Sequence, residues 1–533
     1  MTRSRPVSTR ASRSMAFIAI LALLLGAVGP VSADDVIEVQ AGTPEAQAGD
    51  PGEAEAISSW FVELDGAPTV DGGSVLGGEA EKKRFRDEAS RRRISYQERY
   101  AYSDLFNGFS ISAAGDALAR LRSIPGVRAI WPVVTESLPK GAAGAGEVID
   151  LSTALQMTGA AYAQDTLGLT GKNVKVAVMD TGVDYDHPDL GGCFKSSRGD
   201  DGDADAHDGG KCRVIKGWDF VGDAFNADPS SPGYNPVPVP DSDPDDCNGH
   251  GTHVAGIIGA SGAVTGVAPR VKFGAYRVFG CAGSTTSDIM LAAMERALHD
   301  NMDVLNMSIG SSLQWPQYPT AAAADRLVTK KGMVVVASIG NSGPGSSAPL
   351  GLYAAGAPGV GSKVIGVASF DNTHNTLRVF TASPGGAQYG YNQAAGAPVA
   401  PTSGSLPLAR TGTPASTADA CTALPAGSLA GKAALIRRGT CTFFTKANNA
   451  RNAGAAAVVI YNNAAGIQSI TVAGSPAITI PVVSISDVQG LALDALIAAG
   501  PATLTWTTGS GKFPSVTGNS VSGFSSYGLA ADL

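Results

Sequence analysis

Five short apolar runs recur along the middle of the chain: "NVKVAVMDTG" (173–182), "VKFGAYRV" (271–278), "VLNMSIGS" (304–311), "MVVVASIGN" (333–341) and "KVIGVAS" (363–369). None alternates strictly between apolar and polar residues, so none suits a sheet with one wet face. A strand that is apolar at successive positions has to be covered on both sides, as in a parallel sheet between helices. Parallel neighbours also need a long crossover, and "TSDIMLAAMERALHDN" (286–301) reads as one. The fold class expected is therefore α/β, a parallel sheet with helices on both faces. Open sheets of this kind hold ligands beyond the carboxyl ends of their strands. Asp180, Ser308 and Asn341 all fall at such ends.

This region does not account for 533 residues, which exceed one ordinary domain. Residues 55–138 read as a separate small α/β unit: a strand at "SSWFVELDG", a long charged helix at "EKKRFRDEASRRRISYQERYAY", a strand at "LFNGFSISA", a short helix at "DALARLRSI" stopped by Pro125 and Gly126, and a strand at "VRAIWPV". Residues 150–374 hold the parallel sheet. A third unit interrupts it at 375–508, alternating strand and helix on a smaller scale, and residues 509–533 return to the sheet domain. In the third unit Phe443, Ala447, Ala450 and Gly454 form one helical stripe that Gly454 is placed to end. No convergent His, Cys, Asp or Glu cluster accompanies these elements, so the unit reads as a binding or gating insert.

Residues 1–33 carry four arginines ahead of the apolar run "MAFIAILALLLGAV" and end in the small residues "VSA", the pattern of an export signal. No segment reaches the roughly 20 apolar residues of a membrane helix. In an oxidising compartment six cysteines favour disulfides, and proximity pairs Cys193 with Cys212, Cys247 with Cys281, and Cys421 with Cys441. The net charge of −8 argues against a nucleic-acid partner. The basic run at 82–93 is interleaved with Asp87 and Glu88, and reads as a solvated helix face.

Two of six histidines stand in "DCNGHGTHVAGIIGA" (246–260), three residues apart and so on one helical face. A zinc clasp, a catalytic base and plain packing each fit that spacing. Zinc proteases use HExxH, which this is not. Asp180, ending a strand before Gly182, and Asn341 in "ASIGNSGP" could each be ordinary turn residues. Together, at strand ends of one parallel sheet, they point to a catalytic constellation.

At these motifs the chain resembles the subtilisin-like serine proteases, the subtilases (peptidase family S8). "DTGVDYDHPDL" is similar to the family's aspartate motif, "NGHGTHVAG" to its histidine motif, and "NMSIG" and "ASIGNSGP" to its substrate and oxyanion stretches. Residues 55–138 resemble an inhibitor I9-type propeptide of ferredoxin-like form, and the insert, through "RRGTCTFFTKANNARNAGA", a protease-associated (PA) domain. The resemblance implies a secreted, zymogen-made endopeptidase acting on protein or peptide substrates, with no required cofactor. It makes His250 the general base, Asp180 its orienting carboxylate, His253 a packed neighbour and Asn341 the oxyanion donor. Ser308, Ile309 and Gly310, with the segment near "VFGCAG", would pair with substrate backbone. The Cys247–Cys281 bond would then tie the histidine loop to that segment. Structural calcium stays open at "DDGDADAHDGG" (200–210), where Asp201, Asp203 and Asp205 alternate without the rest of an EF-hand loop. "GSGK" (509–512) lacks the full phosphate-loop pattern.

The sequence departs from the family at one point: the G-T-S-M-A-like motif that carries the nucleophile is absent, and "SGFSSYGLAADL" (522–533) resembles the stretch preceding it. Ser308 and Ser526 match non-nucleophilic positions. Two expectations follow, a protease whose serine lies outside these residues and a noncatalytic peptide- or protein-binding pseudoprotease.

Overall fold

The computed structural model describes residues 59–137, 151–195, 212–346, 349–530 and 532. The export signal and the aspartates 201, 203 and 205 lie outside the described residues. Residues Ile57–Leu533 form one compact unit.

The first stretch makes a four-stranded antiparallel sheet. It comprises β1 (Ser59–Leu64), α1 (Val75–Arg91), β2 (Gln97–Tyr102), β3 (Gly108–Ser112), α2 (Leu118–Arg122) and β4 (Val127–Pro132), in strand order β2-β3-β1-β4. The long helix expected to reach Tyr102 stops at Arg91 instead. Arg93 adopts a left-handed φ of 53°, and Gln97–Tyr102 pairs with β3, burying Tyr102. A short strand β5 (Thr135–Ser137) follows.

Two short helices, α3 (Ser152–Met157) and α4 (Ala160–Asp165), lead to the central sheet. Its elements run β6 (Lys175–Asp180), β7 (Val214–Asp219), α5 (His250–Gly259), β8 (Lys272–Arg277), β9 (Ser284–Thr286), α6 (Ser287–His299), β10 (Val304–Met307), β11 (Ser311–Ser312), α7 (Pro319–Lys331), β12 (Val334–Ser338), β13 (Gly356–Ala357) and β14 (Ile365–Val367). Six strands pair in parallel in the order β14-β12-β10-β6-β8-β7. The double burial inferred from the apolar runs is visible in β6: Val176 and Val178 pack with Val254 and Ala255 of α5, whereas Ala177 and Met179 face the layer of α6 and α7. The sixth strand, β7, was not expected; it is a half-exposed edge strand and lacks a continuous apolar run.

The antiparallel unit rests on α6 and α7. Phe61, Tyr102, Leu105 and Phe106 join the core cluster of Ile289, Met290 and Ala321, each such buried side chain contributing on the order of 1.5–3 kcal/mol. Polar clamps fix the register. Glu295 accepts from the Asp104 and Leu105 amides, both at 2.8 Å, Arg99 pairs with the buried Asp288 at 2.6 Å, and Arg326 pairs with Asp71 at 2.7 Å.

The insert is a closed barrel of β15 (His374–Ser383), β16 (Ala387–Gln393), β17 (Ser405–Arg410), β18 (Ala433–Arg437), β19 (Ala457–Tyr461), β20 (Val482–Ile485) and β21 (Thr503–Pro514). Helix α8 (Phe443–Asn452) covers Val458 and Ile460 of β19, while α9 (Asp487–Ala499) puts Leu493 with Val459. Strand β21 runs past the expected boundary at 508 because residues 510–514 continue the ladder with 374–378. "GSGK" is therefore part of a strand. Among the described residues no helix is long and apolar enough to cross a membrane.

Candidate active site

Asp180 is the last residue of β6 and is fully buried. The chain then turns through Gly182 (φ 113°), where a Cβ would lie 2.6 Å from the Asp245 carbonyl oxygen. His250 is the first residue of α5, entered through Gly249 in the left-handed region (φ 101°). The helix sits close to β6 only because position 251 is glycine: a Cβ there would meet the Gly182 carbonyl oxygen at 2.1 Å. The result is a bond of 2.6 Å between His250 Nδ1 and Asp180 Oδ1, which also accepts from the Thr181 amide at 2.8 Å. Asp180 Oδ2 is buried without a partner.

The electrostatics follow from that contact. The hydrogen bond that His250 donates to Asp180 raises the His250 pKa above the ordinary imidazole value, against desolvation that lowers it. Burial pushes the Asp180 carboxyl up, and the bond to His250 opposes this. With Nδ1 bound to a carboxylate, Nε2 is the nitrogen left for proton transfer. Among the described residues no hydroxyl is hydrogen-bonded to it.

Asp246, which the sequence reading passed over, organises the surroundings. Its Oδ1 accepts from Thr181 Oγ1 and from the Asn248 and Gly249 amides, all at 2.9 Å; Oδ2 accepts from the Thr252 amide at 2.9 Å and its hydroxyl at 2.6 Å. Thr181 Oγ1 in turn accepts from the Gly251 amide at 2.8 Å. One carboxylate thus ties the residue after Asp180 to the first turn of α5, where unpaired amides favour an anion. The visible signal was an aspartate four residues before a glycine-flanked histidine.

Other expected residues are distributed as follows. Ser308 directly follows β10, accepting from Asn306 Nδ2 at 3.1 Å, with Ile309 buried and Gly310 exposed. Asn341 is exposed just past the end of β12, so Asp180, Ser308 and Asn341 occupy the same edge of three adjacent parallel strands. Ser526 is fully buried and accepts from the Ser342 amide at 3.0 Å, so it supports the Asn341 loop and lies apart from His250 in the bonding network. His253 is a correction: it was expected to be packed and is exposed, since the buried face of α5 falls on Gly251, Val254 and Ala255. The strand next to "VFGCAG" is β9, and its partner is β5.

The three cysteine pairs form as spacing suggested. Cys247–Cys281 joins the loop before α5 to the loop before β9, beside the buried Arg277 guanidinium, whose Nη2 is 3.1 Å from Cys247 Sγ. Asp223, Cys247 and Cys281 are close enough together to suggest a metal site, but both sulfurs are in the disulfide and Arg277 also pairs with Asp223.

Residues 171–532 match the Subtilase family. The chain is 33% identical over 439 residues to the minor extracellular protease Vpr of Bacillus subtilis, covering 81% of this chain and 49% of that protein. It is 33% identical over 214 residues to subtilisin DY of Bacillus licheniformis, covering 39% of this chain and 60% of that protein. It is also similar to the subtilisin-like protease Apa1 of Pseudoalteromonas sp. AS-11, at 21% identity and a TM-score of 0.39 over 68% of this chain and 81% of that one. The chain thus spans about half the length of Vpr. The match over 171–532 covers more than half of the chain: it belongs to the subtilase family.

Proposed function

We propose that this chain carries the acid–base pair of a secreted serine endopeptidase. One observation carries the reading: the 2.6 Å bond that couples a buried strand-end carboxylate to the first residue of a helix. In the proposed reaction His250 takes the proton from a serine hydroxyl as it attacks a peptide carbonyl, then returns it to the leaving amine. Asp180 holds the imidazole in the required tautomer and stabilises its cationic form. The Asn341 amide donates to the oxyanion, and Ser308, Ile309 and Gly310 border the extended substrate. The antiparallel unit acts as an inhibitory propeptide and the barrel as a protease-associated insert shaping access. The pairing of β5 with β9 supports the first of these roles, and the name of the extracellular relative Vpr supports secretion.

No G-T-S-x-A sequence occurs in the 533 residues, so the serine is assigned to polypeptide outside them. The absence of a hydroxyl on His250 among the described residues also favours a second reading, a noncatalytic binder of peptides. Hydrolysis of a denatured protein by the longest polypeptide the gene encodes separates the two. The expected result is turnover abolished by a fluorophosphonate and lowered in His250→Ala by about 10⁶, the loss known for subtilisin itself. Turnover that survives the reagent would sink the serine assignment, and peptide binding with neither turnover nor labelling establishes the binder.

A further inference from the structure

Strand β5 ends the described part of the antiparallel unit, and it is bound to the sheet domain by its own ladder. Thr135, Glu136 and Ser137 stand opposite Thr286, Thr285 and Ser284 of β9, and β5 also lies near β11. The segment just before it is anchored as well. The Ser287 amide donates to the Val134 carbonyl at 3.0 Å, and the Tyr318 hydroxyl donates to the Pro132 carbonyl at 2.8 Å.

Within this ladder one pair is anomalous. Glu136 is 3% exposed and Thr285, directly opposite it, is 0% exposed. Residues directly opposite in an antiparallel pair share a face. Glu136 Oε2 and Thr285 Oγ1 are nevertheless both buried without a hydrogen-bond partner. Among the described residues Glu136 Oε2 has neither a counter-ion nor a donor, and in such a place a neutral acid is far cheaper to bury than a carboxylate.

Among the described residues the surrounding groups supply no compensation. From the head of α7 comes Tyr318, whose hydroxyl already interacts with Ser287 Oγ, the Val134 amide and the Pro132 carbonyl. From the head of α6 come Ser287 and Asp288, and Asp288 is committed to Arg99 of β2 and to Thr286 Oγ1. Strand β9 offers Thr285, and β11 offers only Ser311 and Ser312. Arg99, the cation in this group, is thus already paired.

We propose that the socket formed by Thr285 and its neighbours admits a side chain only in uncharged form, so that β5 stays docked on β9 while Glu136 holds its proton and is released when it ionises. The proposal deepens the reading of the antiparallel unit as an inhibitor, on which it rests, and adds what opens the groove. It also assigns a specificity: an extended peptide competing for this position should carry an apolar or amide side chain there, in preference to a carboxylate. Burial pushes the Glu136 carboxyl well above its ordinary range. For an acid shifted upward, the docked state binds more protons than the released one. Docking is therefore strongest below the ordinary carboxylate range and weakens as pH rises through the shifted value.

Hydrogen exchange read by mass spectrometry on the full chain tests this without requiring hydrolysis. After correction for intrinsic exchange, protection of the peptides spanning 131–137 and 284–286 should fall more than about tenfold between pH 5 and pH 9, the weight of one pKa unit. In Glu136→Gln it should stay level within about threefold, and Glu136→Met should be level and at least as protected as the wild type at pH 5. Equal pH-dependence in wild type and Glu136→Gln overturns the proton gate while leaving the docking intact. Absence of protection at pH 5 in the wild type and both variants overturns the docking itself, and with it the inhibitor reading.

Discussion

The sheet edge at His250 and the barrel around Lys446 both bury an ionisable side chain completely, but they dispose of it differently. Asp180 is bonded to a titratable partner at the end of a strand, and that partner, His250, is only partly buried, with no bond to its second ring nitrogen among the described residues. Lys446, on α8, donates to the Asp419 carbonyl oxygen and approaches Cys421 Sγ at 3.8 Å, while the Asp419 carboxylate accepts from Thr411 Oγ1 at 2.7 Å and the Arg437 amide at 2.8 Å. Every contact there closes within the insert. Burial shifts the Lys446 pKa down, yet nothing about the shift implies chemistry. A displaced pKa marks a functional group when its proton has somewhere to go, and at Lys446 it has nowhere.

Asp180→Asn is the sharpest way to break this distinction. In the hydrolytically competent form it should lower turnover about 10⁴-fold by imposing the wrong imidazole tautomer, roughly 5 kcal/mol of barrel-independent transition-state stabilisation. A thermal melt should change little, because the substitution also removes a buried charge. If the variant instead loses its fold, the carboxylate is structural and the contrast fails. Lys446→Ala should behave in the opposite way. Lost packing and an unpaired Asp419 carbonyl should cost about 2–4 kcal/mol of stability, while turnover per folded molecule stays within about twofold of wild type. A fall in turnover with an unchanged melt would make the insert a participant in the chemistry.

Much of this contrast was legible in the chain itself. Continuous apolar runs such as "KVAVMD" marked the sheet because residues facing α5 and residues facing α6 and α7 must both be buried. The same pattern placed Asp180 at a strand end, and glycines at 249 and 251 announced the tight entry of α5. What stayed hidden depended on tertiary partners. Residues 97–102 carry charges that suit a helix, and only pairing with β3 makes them a strand. Edge position hid β7. The exposure of His253 depends on which face of α5 meets β6. The convergence of five donors on Asp246 joins Thr181 to residues 248–252, across a separation that local spacing does not encode. Nothing in "VTES" shows that Glu136 will be buried opposite Thr285.

The smallest expected effect concerns pH. His250 has its pKa raised in the folded chain, first by the hydrogen bond it donates to Asp180. Between the unfolded and the folded values the native state binds the extra proton, so stability falls with rising pH across that interval. The pair's contribution is therefore fully present below the ordinary imidazole value and is lost as pH rises through the folded one. Asp180→Asn removes the bond's charge and should flatten this slope, so the wild-type minus variant difference in Tm should shrink between pH 6 and pH 9. The change is on the order of a degree or two, since each kcal/mol moves Tm by about 2–4 °C in domains of this size. Glu136 imposes a slope of the same sign, so the comparison belongs in a Glu136→Gln background, where the difference reads the Asp180–His250 pair, whose carboxyl and imidazole are both raised. A difference that grows with pH in that background would mean that His250 is held neutral in the folded chain, and that Asp180 does not stabilise its cation.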